Sequence, residues 1–406
     1  MSRGELVVHT SPGRRAALGA VIAIACGAPL VIASCADSTS GDSLPFDAGA
    51  PTVDQGTPDG ADSGALEDGG CEAGDPRCAP TSVSCEETDF CPVNGAVDPR
   101  VALTSIWGSG KDDVWAAGSL GMVVHWDGAA WKPYPITTTY TLFGLWGSGR
   151  DDLWAASAVD ATFHGTRNVD GSVSWSKLPP LPAPISNDLF PAVAAVWGMS
   201  NDDVWIGGGD KMGFPFPRVW RAKPDGDGGI TWTTLAPCAS TPTDCPGLRA
   251  IWARGPEEIW LVGDRGRTYR GAIVEDADVP FVLTESQTNA SLRAVWGPSE
   301  GPVWAVGDDG VIRTISSNDS AWTIVPSPTT FALRGIWGSS ATDVWAVGAY
   351  GTILHFDGKS WTAASAAFAA GPKPTLYGVW GSDAGDVWIV GEGIVLRRSS
   401  AGGTNP

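Results

Sequence analysis

Three arginines fall at one recurrent place in the chain. Arg249, Arg293 and Arg334 each stand second in a run of the form L-R-x-I-W or L-R-x-V-W, opened by Leu248, Leu292 and Leu333. A guanidinium is a planar fork that holds a carboxylate or phosphate through paired N–H donors, so three at one repeat position would suit an anion site. The competing reading pairs each fork with a local acid, Asp264, Asp308 and Asp309 being the nearest candidates. Acid–base chemistry has less to work with. Only 4 His occur. His125 and His355 share one repeat position and His164 lies near it, which suits a framework role. There is no H-E-x-x-H, no G-x-S-x-G elbow and no phosphate loop, because Gly358-Lys359-Ser360 lacks the leading Gly. The reading is non-catalytic, with no cofactor and no metal. A different contact chemistry is offered by Phe214 and Phe216, set between prolines in Gly213-Phe214-Pro215-Phe216-Pro217, together with Phe190. Exposed on a loop they would form an apolar patch; the alternative is that they cover their own scaffold.

The cysteines and the N-terminus speak to compartment. Arg14 and Arg15 lead an apolar run from Ala16 to Ile32, too short for a membrane span and flanked like an export signal. The run ends Val31-Ile32-Ala33-Ser34-Cys35, which resembles a bacterial lipobox. That resemblance implies that residues 1–34 are a lipoprotein signal peptide and that Cys35 carries lipid, tethering the chain without spanning. Ala36 after the cysteine implies the outer membrane, on its periplasmic or surface side. Residues 35–70 follow as a linker, with 8 acidic side chains, no Lys and no Arg. Such a stretch buries too little apolar surface to offset its ordering entropy, so a disordered spacer is expected. Cys71, Cys78, Cys85 and Cys91 are spaced 7, 7 and 6 apart, and Cys238 and Cys245 bracket a Pro-rich loop. These are not zinc spacings, and disulfides in an oxidising setting are expected, with the pairing inside the cluster of four left open.

What must hold these residues is a repeat. From Leu103 to Arg398 the chain runs through seven units, opening at Leu103, Leu142, Val193, Leu248, Leu292, Leu333 and Leu376, with spacings of 39, 51, 55, 44, 41 and 43. Each reads as four short strands punctuated by Gly, Asp and Ser, with none of the helical periodicity that helical repeats of this length would need. The fold class is therefore all-β: a seven-bladed β-propeller over residues 101–406, four antiparallel strands per blade. The seventh unit stops at Arg398 without a fourth strand. The Cys-rich segment 71–100 is predicted to supply it and close the ring.

The repeat also accounts for the 21 Trp. In each unit two lie across a hairpin, as Trp107/Trp115, Trp337/Trp345 and Trp380/Trp388, spaced to face one another. Trp131, Trp175, Trp232, Trp322 and Trp361 open fourth strands. Recurrence in every unit assigns them to core, not to a sugar platform. Asp113, Asp152, Asp203, Asp343 and Asp386 precede the second strand, where they are expected to bind turn amides; Glu258 replaces them in unit four. Asp127-Gly128-Ala129-Ala130-Trp131 and Asp357-Gly358-Lys359-Ser360-Trp361 resemble the turn of bacterial Asp-box and photosystem-II-assembly-factor-like propellers. The similarity covers residues 103–398 and implies a fold, not an activity. Sialidases, also Asp-box propellers, need a Tyr nucleophile beside an Arg triad, and with 5 scattered Tyr that activity is not carried over.

With 45 acidic against 26 basic side chains and a net charge of −19, nucleic acid is excluded as a partner. The expectation is a monomeric binding or assembly module for an envelope protein or glycan, touching the membrane through its lipid alone. The alternative is a glycosidase or lyase using acids near the channel mouth. A lectin with one site per blade is disfavoured, because equivalent turns differ: Ser119-Leu120, Asp264-Arg265, Ala349-Tyr350.

Overall fold

The computed structural model describes residues 71–398, apart from 73, 80, 94–96, 135, 158, 160–161, 183–190, 211–217, 228, 238–246 and 274–278. Cys35, Phe190, Phe214, Phe216, Cys238, Cys245 and the spans 1–34 and 35–70 lie outside the described residues.

The strands form seven four-stranded sheets and one short two-stranded pair. Blade one is built from Leu103–Gly110, Asp113–Gly118, Val123–Trp126 and Trp131–Pro133, paired in chain order and antiparallel throughout. Blades two to six repeat that plan, their innermost strands opening at Leu142, Pro191, Leu248, Leu292 and Leu333. The first strands of neighbouring blades touch one another all the way round, that of blade seven meeting that of blade one, so they line the central channel. The molecule is a closed seven-bladed β-propeller.

Paired indoles recur because two slots recur. In every blade the two hairpin tryptophans are direct cross-strand partners, from Trp107↔Trp115 to Trp380↔Trp388. The second of each pair is sunk between blades, at 0–4% exposed. The first is only half-buried, which corrects the expectation that all hairpin indoles are equally core. Its ring lies on the backbone of the next blade, where the residue after the next blade's own Trp is glycine. A Cβ on Gly147 would stand 2.7 Å from Trp107, and one on Gly338 2.6 Å from Trp296. Gly108 meets Trp380 in the same way, across the seam between blades seven and one. This is the reason for the repeated Trp-Gly dipeptide: the glycine is a flat seat for its neighbour's indole. Blade four alone has Ala253 in the seat, packed in one cluster with Trp197.

A third aromatic closes each slot from outside. Trp175 meets Trp115 edge-on, Trp322 meets Trp260, Trp361 meets Trp304 and Trp131 meets Trp388, each the fourth-strand aromatic of one blade against the second Trp of the blade before. Blade seven fills this slot with the N-terminal segment. Phe90–Pro92 pairs antiparallel with Ile394–Arg398, and Phe90, fully buried, stands edge-on to Trp345 at 5.1 Å. The predicted closing strand is thus present, with Phe90 where blades one, two, three, five and six carry Trp. Cys85–Cys91 pins that strand, and Cys71–Cys78 sits beside the short pair Cys78–Ala79 with Gly371–Pro372. Both pairs are local, with Cα atoms 5.3 Å apart in Cys85–Cys91 and 5.6 Å apart in Cys71–Cys78.

Candidate functional site

The two ends of the ring carry different chemistry. At the end holding the first-to-second strand turns, each acid expected at those turns instead faces a base on the third strand, directly opposite the buried Trp. His125 Nε2 lies 2.7 Å from Asp113, and His164 and His355 lie 2.6 Å from Asp152 and Asp343. Arg221 donates twice to Asp203 at 2.6 Å, and Arg397 to Asp386 at 2.8 Å. Hydroxyls of Ser109, Ser148, Ser339 and Ser382 complete four of the carboxylates. Each base stacks on its Trp: the His125 and His355 rings lie 4.0 and 4.1 Å from Trp115 and Trp345, and Arg397 stands 4.5 Å over Trp388. The expectation that these acids serve chiefly turn amides is corrected here, because the third strand places a stronger donor within reach.

Blade four varies the arrangement: Glu258 takes Arg254 and Ser317, while Arg270 lies 5.6 Å over Trp260. Blade five has Pro302 and Thr314 at the two positions. Acid and base are lost together, as expected if neither is tolerated alone in a desolvated place. Burial would raise Asp113 and Asp152, but hydrogen bonds from His125 and His164 and from Ser109 and Ser148 outweigh it and hold both below the ordinary carboxylate range. A histidine fixed between a carboxylate and an indole face braces its blade.

The opposite end carries the channel mouth. There each blade begins its innermost strand beside its own second-to-third strand turn, and this brings the three arginines to one face. Arg249 forks onto Asp264, 2.8 Å on both arms, and Arg293 onto Asp308 at 2.9 and 2.7 Å. The Asp308 hydrogen bonds outweigh burial and raise the Arg293 pKa above its usual value. Two of the three forks are therefore taken by their own blades; Asp309 is not the partner of either. Arg334 differs. The residue equivalent to Asp264 and Asp308 in its blade is Ala349, and Arg334 Nε is buried without a hydrogen-bond partner. Its guanidinium lies 5.6 Å over Tyr377, whose hydroxyl donates to Glu392 at 2.9 Å. Burial and that carboxylate push the Tyr377 phenol above its ordinary pKa.

The turns themselves are a repeated display. Leu120, Arg265, Asp309 and Tyr350 all adopt φ of 55–60°, each followed by a glycine. That glycine is required, for a Cβ on Gly266 would run into the Thr288 carbonyl. The left-handed residue is thrown outward, leaving Leu120 at 69% and Tyr350 at 42% exposed. The sequence singled out these turns only as dissimilar; their common backbone is what the structure adds. Of the long Pro-rich loop at 178–192, which follows the last strand of blade two, the described part covers blade three: Leu181 is buried against Trp220, and the Pro182 carbonyl accepts from the Trp220 indole.

No protein-family model and no curated protein matches the chain. Solved structures do match in fold. YCF48 bound to a D1 peptide superposes with a TM-score of 0.56 at 16% identity, over 81% of this chain and 100% of that one. Streptogramin B lyase gives 0.56 at 15%, over 76% and 95%, and the WD40 propeller domain of Doa1 gives 0.55 at 12%, over 76% and 96%. At such identities the likeness establishes the propeller and leaves the activity to the site.

Proposed function

We propose that this chain is an exported, lipid-anchored envelope protein whose propeller is a non-catalytic binding module, taking a protein or glycan partner on the mouth face. The observation that carries the reading is Arg334. Where Arg249 and Arg293 are neutralised by their own turns, Arg334 has an alanine at the acid position and an aromatic ring beneath it. A buried N–H without an acceptor costs free energy until something supplies one, so the group is poised for a carboxylate or similar oxyanion from outside. Outward-thrown Leu120 and Tyr350 add apolar contact on the same face. Among the described residues, His125, His164 and His355 are each held by a carboxylate at the far end, which supports binding over catalysis. A propeller of this fold holds a peptide in the YCF48 complex, which fits the same use here.

The full chain carrying Cys35→Ala, so that it is released from membranes, is to be used in affinity capture from envelope extracts and on a glycan array. A partner retained by this chain and lost with added Arg334→Ala is the expected result. Identical retention by both chains would remove Arg334 from the reading. A Cys35→Ala chain that still sediments with membranes would remove the anchor.

A further inference from the structure

Blade four carries a feature separate from Arg334, which lies in blade six. A cleft of about 240 Å³ opens on its shoulder, lined among others by Arg265, Arg267, Leu283, Glu285, Ser286 and Asn289. Arg265 and Arg267 flank Gly266 in the outward turn, and neither has an ion pair or side-chain hydrogen bond among the described residues. In a chain with 45 acidic and 26 basic side chains, two adjacent cations left without a carboxylate need a reason. A third cation lies behind the wall. Arg313, 7% exposed, donates to the carbonyls of Ser286, Ile312 and Gln287, each at 2.9 Å, and meets no carboxylate among the described residues. Gln287, in the same wall, holds φ +56°, the one non-glycine left-handed residue outside the repeated turns among the described residues. Its amide donates to Glu285 Oε1 at 2.8 Å and its side chain to the Trp322 carbonyl, fixing the wall in place.

The lining selects among anions. Arginines on this face take carboxylates by both arms, as Arg249 and Arg293 show. Glu285 would repel a phosphate or any multiply charged group, yet its free lone pairs suit hydroxyl donors. Asn289 adds both a donor and an acceptor. Leu283, 52% exposed, offers an apolar surface to the C–H face of a ring. A ligand with one carboxylate, several hydroxyls and a ring of modest size meets all of these conditions. We propose that the cleft binds a single uronic-acid unit of an anionic polysaccharide, its carboxylate on Arg265 and Arg267 and its hydroxyls on Glu285 and Asn289.

The test is titration calorimetry on the full Cys35→Ala chain with methyl glucuronide, methyl glucoside and inorganic phosphate. Methyl glucuronide is expected to bind, with the neutral glucoside weaker by about tenfold or more, because it lacks the carboxylate that both arginines hold. Arg267→Gln should weaken the glucuronide by a similar factor without changing the melting temperature, and Glu285→Gln should narrow its advantage over phosphate. Arg334→Ala should leave all three titrations unchanged, which separates this cleft from the mouth. Equal affinity for glucoside and glucuronide, phosphate binding tighter than glucuronide, or loss of binding in Arg334→Ala would each overturn the assignment.

Discussion

The pairing of acid and base behind each tryptophan sets how the head responds to acid. Asp113 is 1% exposed and accepts from His125, Ser109 and Arg167, the last reaching across from blade two at 2.8 Å. Its folded pKa lies below the unfolded value of 3.8, as does that of Asp152. Groups depressed in this way stabilise the fold fully above about pH 4, and that stability is lost as pH falls through the folded pKa. Urea melts are expected to show unfolding free energy dropping on acidification below that point, with a shallower drop in Asp113→Asn. At neutral pH the same variant should lose about 2–3 kcal/mol, since it strips charge from a buried network. A neutral-pH melt indistinguishable from wild type would show that the network is dispensable.

Among the elements, the seat between blades makes the sharpest demand. Gly338→Ala places a methyl into the Trp296 ring, and overpacking of this kind costs about 1–3 kcal/mol, read as a lower denaturation midpoint. Ala253→Gly, at the one seat that already accepts a methyl, should change stability by no more than about 1 kcal/mol. Blade count, hairpin pairing and the closing strand were all legible in the sequence, because seven equivalent slots impose the same Trp pair seven times, and the same Gly and Leu six times each. The site was not. Whether Arg249 is free depends on Asp264, 15 residues away and brought beside it only by strand pairing. Whether Arg265 points outward depends on one left-handed φ. The bases are histidine in some blades, as His125, and arginine in others, as Arg221 and Arg397, so their shared role emerges only when the third strands are laid in register.

At the scale of the whole ring, stability converges on the seam. Phe90→Ala empties an interblade slot and removes the aromatic anchor of the closing strand, at about 3–5 kcal/mol. Limited proteolysis should then cut first within Ile394–Arg398, before any other blade. Replacing Cys85 and Cys91 together by Ser releases the loop that fixes this strand and should cost about 2–3 kcal/mol, measured under non-reducing conditions against wild type. A full cut of the N-terminal 92 residues should do worse than either, leaving the outer edge of blade seven bare.

Phe90–Pro92 is synthesised about 300 residues ahead of Ile394–Arg398, the strand it completes. A strand made near the start of the head therefore waits for the last one, and the circle cannot shut until almost the entire polypeptide has emerged. Two half-made copies growing side by side would offer each other the same vacant edge, so crowding during synthesis favours exchanged arms and interlocked pairs.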